Sequence, residues 1–383
     1  MKKLCFVTTV SMTVRAFVIP VIRYFSEMTD WEITVICDDD PTLEQDLPAG
    51  IRYIPISMKR GISLRGVSAM LKMYRLFRQE KFDLVQYSTP NAALYASMAS
   101  WLAGIPCRKY HLMGFRYLGF QGIKKKIFKF IEKLSCALSS DIECVSKSNM
   151  DLGIQEHVFP AEKAHIVFHG SSAGVDLVRF RIVDKPLWRK TVREELGYDE
   201  EQCVFGFAGR VTRDKGINEL LAAFKLLTSS QPQSRLLLIG NLEDPNGLDE
   251  KLIEEAKNDS RILFHAYVND IERYFAAMDV LVLPSYREGF GNIIIEAQAM
   301  GVPVIVTDIP GPVDAMKPGK TGLTIPAADV EALSAAMNTL AEDSVLRAEM
   351  GRRGRILVEE QFDQKILLHY FLLERKSLLS SPD

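Results

Sequence analysis

"VLVLPSYREGFGNIIIEAQAMGVPVIVTD", residues 280–308, holds two short apolar runs with a helical pattern between them. Val280–Pro284 and Val304–Val306 are rich in Val, Ile and Leu and carry no charge, as strands covered on both faces do. The residues between them predict a loop over 288–292, bearing Gly289 and Gly291, and a helix that starts near Asn292. Strand, helix, strand is the repeating unit of a parallel sheet. Two carboxylates bracket the helix entry: Glu288 in the loop and Glu296 in the second helical turn.

The same alternation extends outward in both directions. Cys203–Ala208, Arg235–Ile239 and Ile262–His265 read as buried strands before this stretch. An earlier series is made of Leu4–Val10, Glu32–Cys37, Ile51–Ile56, Leu84–Tyr87 and Ile142–Val145. Helical patterns near 15–29, 62–80, 91–103 and 123–139 separate its members. Two such series predict two doubly wound α/β domains, and 383 residues exceed one ordinary core. The expected division is 1–180, then 181–361, with a hinge near Gly170–Gly174. A last helix, 362–383, has packing that the sequence leaves open, a return to the first domain being one option.

Composition excludes several classes. The chain is 47% hydrophobic and 25% charged, ordinary values for a globular protein. The six cysteines form no C-x-x-C pair and read as single thiols of a reducing compartment. The opening "MKKLCFVTTV" reads as a first strand rather than a leader, because its apolar part is short and holds two threonines. The uncharged run 84–107 contains "QYSTPN", which is costly in lipid, so no transmembrane span is expected.

In open parallel sheets ligands bind beyond the carboxyl ends of the strands. After "CVFGFA" comes "GRVTRDKG", 209–216: Gly209 allows a tight turn, and Arg210 and Lys215 suit a diphosphate. After "VLVLPSY" come the two glutamates and a helix start whose outward amides favour electron-rich groups. Carboxylates accept hydrogen bonds from hydroxyls. Two of them fit the ribose and the hexose of a nucleotide sugar.

These segments together resemble the donor-binding domain of retaining glycosyltransferases of family four, which have the GT-B fold. The E-x7-E spacing is met by Glu288 and Glu296. The first half is similar to the same family through "HLMGFRYLGFQG", "ECVSKSNMDLGI" and "HGSSAGVDLVRF", most like branches that build bacterial surface polysaccharides on lipid carriers. The resemblance implies two Rossmann-like domains facing across a cleft, the first binding acceptor and the second nucleotide sugar. It implies that Arg210 and Lys215 hold the diphosphate, that Glu288 contacts the hexose and that Glu296 contacts the ribose. Amides of Phe290, Gly291 and Asn292 would lie near the hexose and phosphates, Tyr267 and Val268 near the base. His111 would line the sugar site. Many relatives have a glycine-rich turn after the first strand; here "TTVSMTVRAF" leaves Ser11 and Thr13 as the candidates. Proline often follows Glu-Gly-Phe in the family, where this chain has Gly291.

No carboxylate for a double displacement is identifiable, so the family's front-side substitution is expected. No metal and no cofactor beyond the UDP-sugar substrate are expected: "CDDDP", 37–41, reads as a solvated turn, and His165 and His169 are too far apart in a strand to share an ion. The stretch 108–133 holds eight Lys/Arg against one acid. Its interleaved aromatics and amphipathic spacing predict contact with an anionic membrane through Arg116, Lys124, Lys125 and Lys129. Nucleic acid is not expected, since the basic patch is confined and the net charge is -2. The reading is a UDP-sugar-dependent hexosyl- or N-acetylhexosaminyltransferase at the inner face of the plasma membrane, acting on a polyprenyl-diphosphate-linked saccharide. An epimerase or hydrolase using the same cleft is the alternative, and a non-enzymatic sugar-binding role stands behind both.

Overall fold

The computed structural model describes residues 1–58, 64–242 and 247–380. Its contacts divide the chain into one unit of Met1–Gly174 with Gln364–Asp383, and a second of Val175–Asp363. The boundaries thus fall at 174 and 363 rather than at 180 and 361. The C-terminal helix, Gln364–Ser380, belongs to the first unit.

The first unit is built on strands β1 (Lys3–Val7), β2 (Glu32–Cys37), β3 (Arg52–Pro55), β4 (Leu84–Ser88), β5 (Cys107–Leu112), β6 (Asp141–Cys144) and β7 (Ala164–His165). They pair in the order β3-β2-β1-β4-β5-β6-β7, and every pairing is parallel. Each face of the sheet carries a core. One packs Tyr87, Tyr110 and Ile142 under helices 64–80, 90–103 and 122–138. The other joins Phe6, Phe25 and Val35 to Leu367, Leu368, Phe371 and Leu372 of the returning helix. The helix expected over 62–80 runs from Leu64; its first two expected positions lie outside the described residues.

The second unit uses β8 (Val204–Ala208), β9 (Arg235–Ile239), β10 (Ile262–His265), β11 (Val280–Leu283), β12 (Val304–Thr307) and β13 (Gly322–Ile325). Their order is β10-β9-β8-β11-β12-β13, again all parallel. The central strands are fully buried, as the uninterrupted "VFGFA" and "VLVL" runs require.

Candidate active site

Strand order reverses in the second unit between β8 and β11, the switch point beyond whose strand carboxyl ends open parallel sheets bind ligands. The loop after β8 is Gly209–Gly216 and that after β11 is Pro284–Gly291. They are tied together: the Tyr286 amide donates to the Asp214 carbonyl at 2.9 Å. Gly216 sits at φ +73, and a Cβ there would lie 2.1 Å from the Pro284 carbonyl oxygen. Any side chain at 216 would therefore force the loops apart.

Four of the residues singled out in the sequence meet here. Gly209 turns the chain at φ +148. Lys215 Nζ donates to Glu288 Oε1, which also accepts from Ser285 Oγ at 2.9 Å. Both charged side chains are mostly covered, 18% and 13% exposed. Arg210 is 44% exposed and lies 3.7 Å from Asp214, which also holds Arg287 at 3.0 Å. Burial alone would raise the Asp214 carboxyl; the Thr212 hydroxyl and Arg287, Arg210 and Lys215 outweigh it and lower it. Asp214 thus gathers the cations. Sequence reading passed over it, although it stands inside "TRDKG".

The helix Asn292–Ala299 starts where the β11 loop ends. Its cap, Gly291, has φ +87, which proline cannot adopt, so this chain enters the helix differently from a relative with proline there. Phe290 is buried edge-on against Phe362, leaving its backbone as the part that can serve a ligand. Glu296 belongs to a second cluster. Its carboxyl is pushed up to about 7, mainly by burial, with Arg179 opposing and Glu272 adding to the rise. Arg179 pairs with Glu272 at 2.7 Å and also feels the charge of Tyr267. Tyr267 is 64% exposed beyond β10, with Val268 beside it half-buried. Arg179 lies in the "VDLVRF" stretch that carried the resemblance, so that signal was present in the sequence.

In the first unit, His111 stands on β5, only 4% exposed, with Nδ1 2.8 Å from Glu143 Oε1. It lines a recess with Thr13, Ser88, Gln86, Ser172 and Arg375. Thr13 is therefore placed with His111, whereas Ser11 hydrogen-bonds the Asp40 carboxylate. Without a glycine the chain leaves β1 through Thr8–Val10 and enters a helix at Ser11. The turn is held by Thr9, whose hydroxyl lies 2.7 Å from that of Thr89 beyond β4. Asp40 also takes Arg15 at 2.7 Å, so "CDDDP" is a braced turn rather than a freely solvated one.

The basic stretch 108–133 is not one surface. Arg108 and Lys109 lie in β5, and Lys109 is fully buried among Asp141 (2.5 Å), Glu374 (2.6 Å) and Glu143 (3.1 Å). Asp141, His165 and Glu374 stand close enough to share an ion, but the Lys109 ammonium already occupies two of those three groups. Of the expected membrane contacts, Lys129 is paired with Glu156 at 2.7 Å, and Arg116 lies over the Phe128 ring at 4.6 Å. Each of these cations serves a local contact that only the folded chain creates. Lys124 is exposed and Lys125 half-buried. The helix Gly122–Leu138 packs Phe128, Ile131 and Leu134 against the core but turns three other apolar residues outward, with Ile123 75%, Ile127 49% and Phe130 66% exposed. Among the described residues no helix is long and apolar enough to cross a membrane.

Two doubly wound units, the second with cations and carboxylates gathered where its strand order reverses, define the GT-B class of glycosyltransferase folds. Residues 17–173 match the glycosyltransferase family 4 domain, and residues 189–356 match the glycosyl transferases group 1 domain. The capsular polysaccharide biosynthesis glycosyltransferase CapM of Staphylococcus aureus is 31% identical over 90% of this chain and 89% of its own length. An Escherichia coli UDP-Gal:α-D-GlcNAc-diphosphoundecaprenol α-1,3-galactosyltransferase is 27% identical over 82% of this chain and 81% of its own. The crystal structure of HepE from Anabaena, in complex with UDP and glucose, superposes with a TM-score of 0.82 at 20% identity, covering 98% of this chain and all of HepE. The chain belongs to this family and is a glycosyltransferase.

Proposed function

We propose that the protein transfers a hexose or N-acetylhexosamine from a UDP-sugar, with retention, to a polyprenyl-diphosphate-linked saccharide in surface polysaccharide biosynthesis. The observation that carries the reading is the Lys215–Glu288 pair at the junction of the β8 and β11 loops, beside Arg210. One small molecule needs both signs of charge there: cations for its diphosphate and carboxylates for its hydroxyls. The CapM and E. coli relatives, one named for capsule synthesis and the other for a UDP-galactose donor and an undecaprenol-diphosphate acceptor, support the donor and acceptor classes.

In this mechanism Arg210 and Lys215 hold the diphosphate, and the amides at 290–292 take its remaining oxygens or the hexose. Glu288 orients the hexose hydroxyls, Glu296 the ribose, and Tyr267 with Val268 the base. His111 contacts the transferred sugar. The bond between the anomeric carbon and the diphosphate breaks on the face where the acceptor hydroxyl adds, and the departing phosphate oxygen takes the acceptor's proton. The protein contributes positioning and stabilises the charge growing on the leaving group. The reaction needs no metal. The exposed Ile123, Ile127 and Phe130 with Lys124 dock on an anionic bilayer at the cytoplasmic face, where a lipid-linked acceptor is held.

The test is a panel of UDP-, GDP- and ADP-sugars with and without a polyprenyl-diphosphate saccharide, in chelator. The expected result is UDP release only with acceptor present, and a product with the donor's anomeric configuration. An isomerised donor would replace transfer with epimerisation, acceptor-independent release would mean hydrolysis, and activity restored only by a divalent cation would remove metal independence.

A further inference from the structure

Arg375 is among the largest side chains that the fold buries completely, at 1% exposed. It lies on the helix Gln364–Ser380, which returns to the first unit after the whole second unit has been made. Its Nη1 is 2.5 Å from Glu143 Oε2 and 2.7 Å from Glu374 Oε2, and its Nη2 donates to Gln86 Oε1 at 2.8 Å. Glu143 Oε2 also lies 3.1 Å from Lys109. Glu143 Oε2 has no aligned hydrogen bond, so these are contacts of charge. Burial alone would raise the Glu143 carboxyl; Arg375, Lys109 and His111 outweigh that and hold it well below the usual carboxylate range. Glu143 is thus ionised and can only accept.

The other Glu143 oxygen faces His111. Nδ1 of the ring is 2.8 Å from Oε1, and the Phe371 ring, from the same returning helix, stands edge-on at 6.5 Å. Among the described residues no partner is found for Nε2. The recess lined by His111 is also lined by Arg375, Gln86 and Phe371.

We propose that Glu143, braced by Arg375, is the positioning residue of His111: its carboxylate accepts a hydrogen bond from Nδ1–H, fixes the ring and leaves Nε2 as the nitrogen offered to the recess. Which imidazole nitrogen is free is set by the hydrogen bond the other makes. A buried carboxylate that fixes a tautomer changes turnover without touching substrate. The proposal rests on the reading above that His111 contacts the transferred sugar. It adds that the C-terminal helix is part of the machinery of the first unit, since it supplies the cation that keeps Glu143 ionised.

The direct measurement is nitrogen-15 NMR of His111 in the full-length wild-type protein, at a pH where the ring is neutral. The expected state is a single tautomer with hydrogen on Nδ1. Hydrogen on Nε2 overturns the proposal, and this readout needs no variant to fold. In Glu143→Gln the amide can donate to Nδ1, so the ring takes the other tautomer or a mixture. Turnover should fall about 10- to 100-fold while donor KM moves by less than about threefold. Glu143→Asp should recover part of the loss. Asp141→Asn removes a charge from the same network but touches Lys109 and His165 rather than His111. Its kcat should stay within about twofold of wild type; a loss as large as that of Glu143→Gln would mean a structural role only and sink the proposal. His111→Ala separates the two readings. Full turnover in that variant removes the sugar contact, while the tautomer result still stands or falls by itself.

Discussion

Two clusters of oppositely charged side chains dominate this molecule, and they use the same residue types at very different depths. In the second unit, Arg210, Lys215, Asp214 and Glu288 are 13–44% exposed in the loops that follow β8 and β11. In the first, Lys109, Arg375 and Glu143 are 0–2% exposed between β5, β6 and the C-terminal helix. Ions near water gain little from each other, because solvent screens them and hydrates them well. They are free to exchange partners with a ligand. Ions deep in the fold have lost their hydration, so each depends on the others, and removing one leaves an uncompensated charge. The shallow cluster is suited to substrate, the deep one to holding neighbours in place.

The largest expected effect tests the deep cluster. Arg375→Ala should cost about 3–5 kcal/mol of stability, because Glu143 and Glu374 lose their guanidinium. Thermal or urea unfolding measures it, and a loss below about 1 kcal/mol would erase the contrast drawn above. Arg210→Ala should do the reverse. Stability should stay within about 0.5 kcal/mol. Transfer should fall on the order of 100-fold. Unchanged turnover would take Arg210 out of the site.

Glu296 sharpens the comparison, being intermediate in depth. Its carboxyl is raised from 4.5 to about 7. Such a group favours the folded state below pH 4.5, and that contribution fades as the pH climbs through about 7. Donor binding runs oppositely, since ribose hydroxyls need the ionised form. Affinity should rise up to about tenfold between pH 6 and 8. A similar rise in Glu296→Gln would assign the titration to another group. The smallest effect belongs to the membrane surface. Lys124→Glu or Phe130→Ser should weaken flotation with anionic vesicles by a few fold, at about 1 kcal/mol per basic residue, with soluble-acceptor turnover untouched. Equal binding by both variants would place the membrane contact elsewhere.

Much of the fold was legible because buried parallel strands must be apolar throughout. Arg235–Ile239 and Ile262–His265 were read to the residue, and the helix at Asn292 started where its loop glycines indicated. β5 was missed for a physical reason. "CRKYHL" carries two cations and a histidine, which local reading assigns to a surface, yet Lys109 is neutralised by acids from β6 and the distant C-terminal helix. β13 was missed because "GLTI" is short and begins with glycine. At the candidate site, Lys215 and Glu288 were legible as a cation and a carboxylate beyond strand ends. Their mutual pairing, and the role of Asp214 between two arginines, depended on loops 73 residues apart being brought together.

The amino-acid order alone determined the alternation of strand and helix, the two-domain plan and the chemistry of the second unit's loops, because periodicity and turn residues act over a few positions. Tertiary structure decided which charges are buried and who their partners are. It drew the C-terminal helix back to the first unit, turned Ile123, Ile127 and Phe130 outward and set Arg375 behind Glu143 and His111. Burial and charge pairing are properties of distance in space, and a chain 383 residues long encodes them only once it has closed on itself.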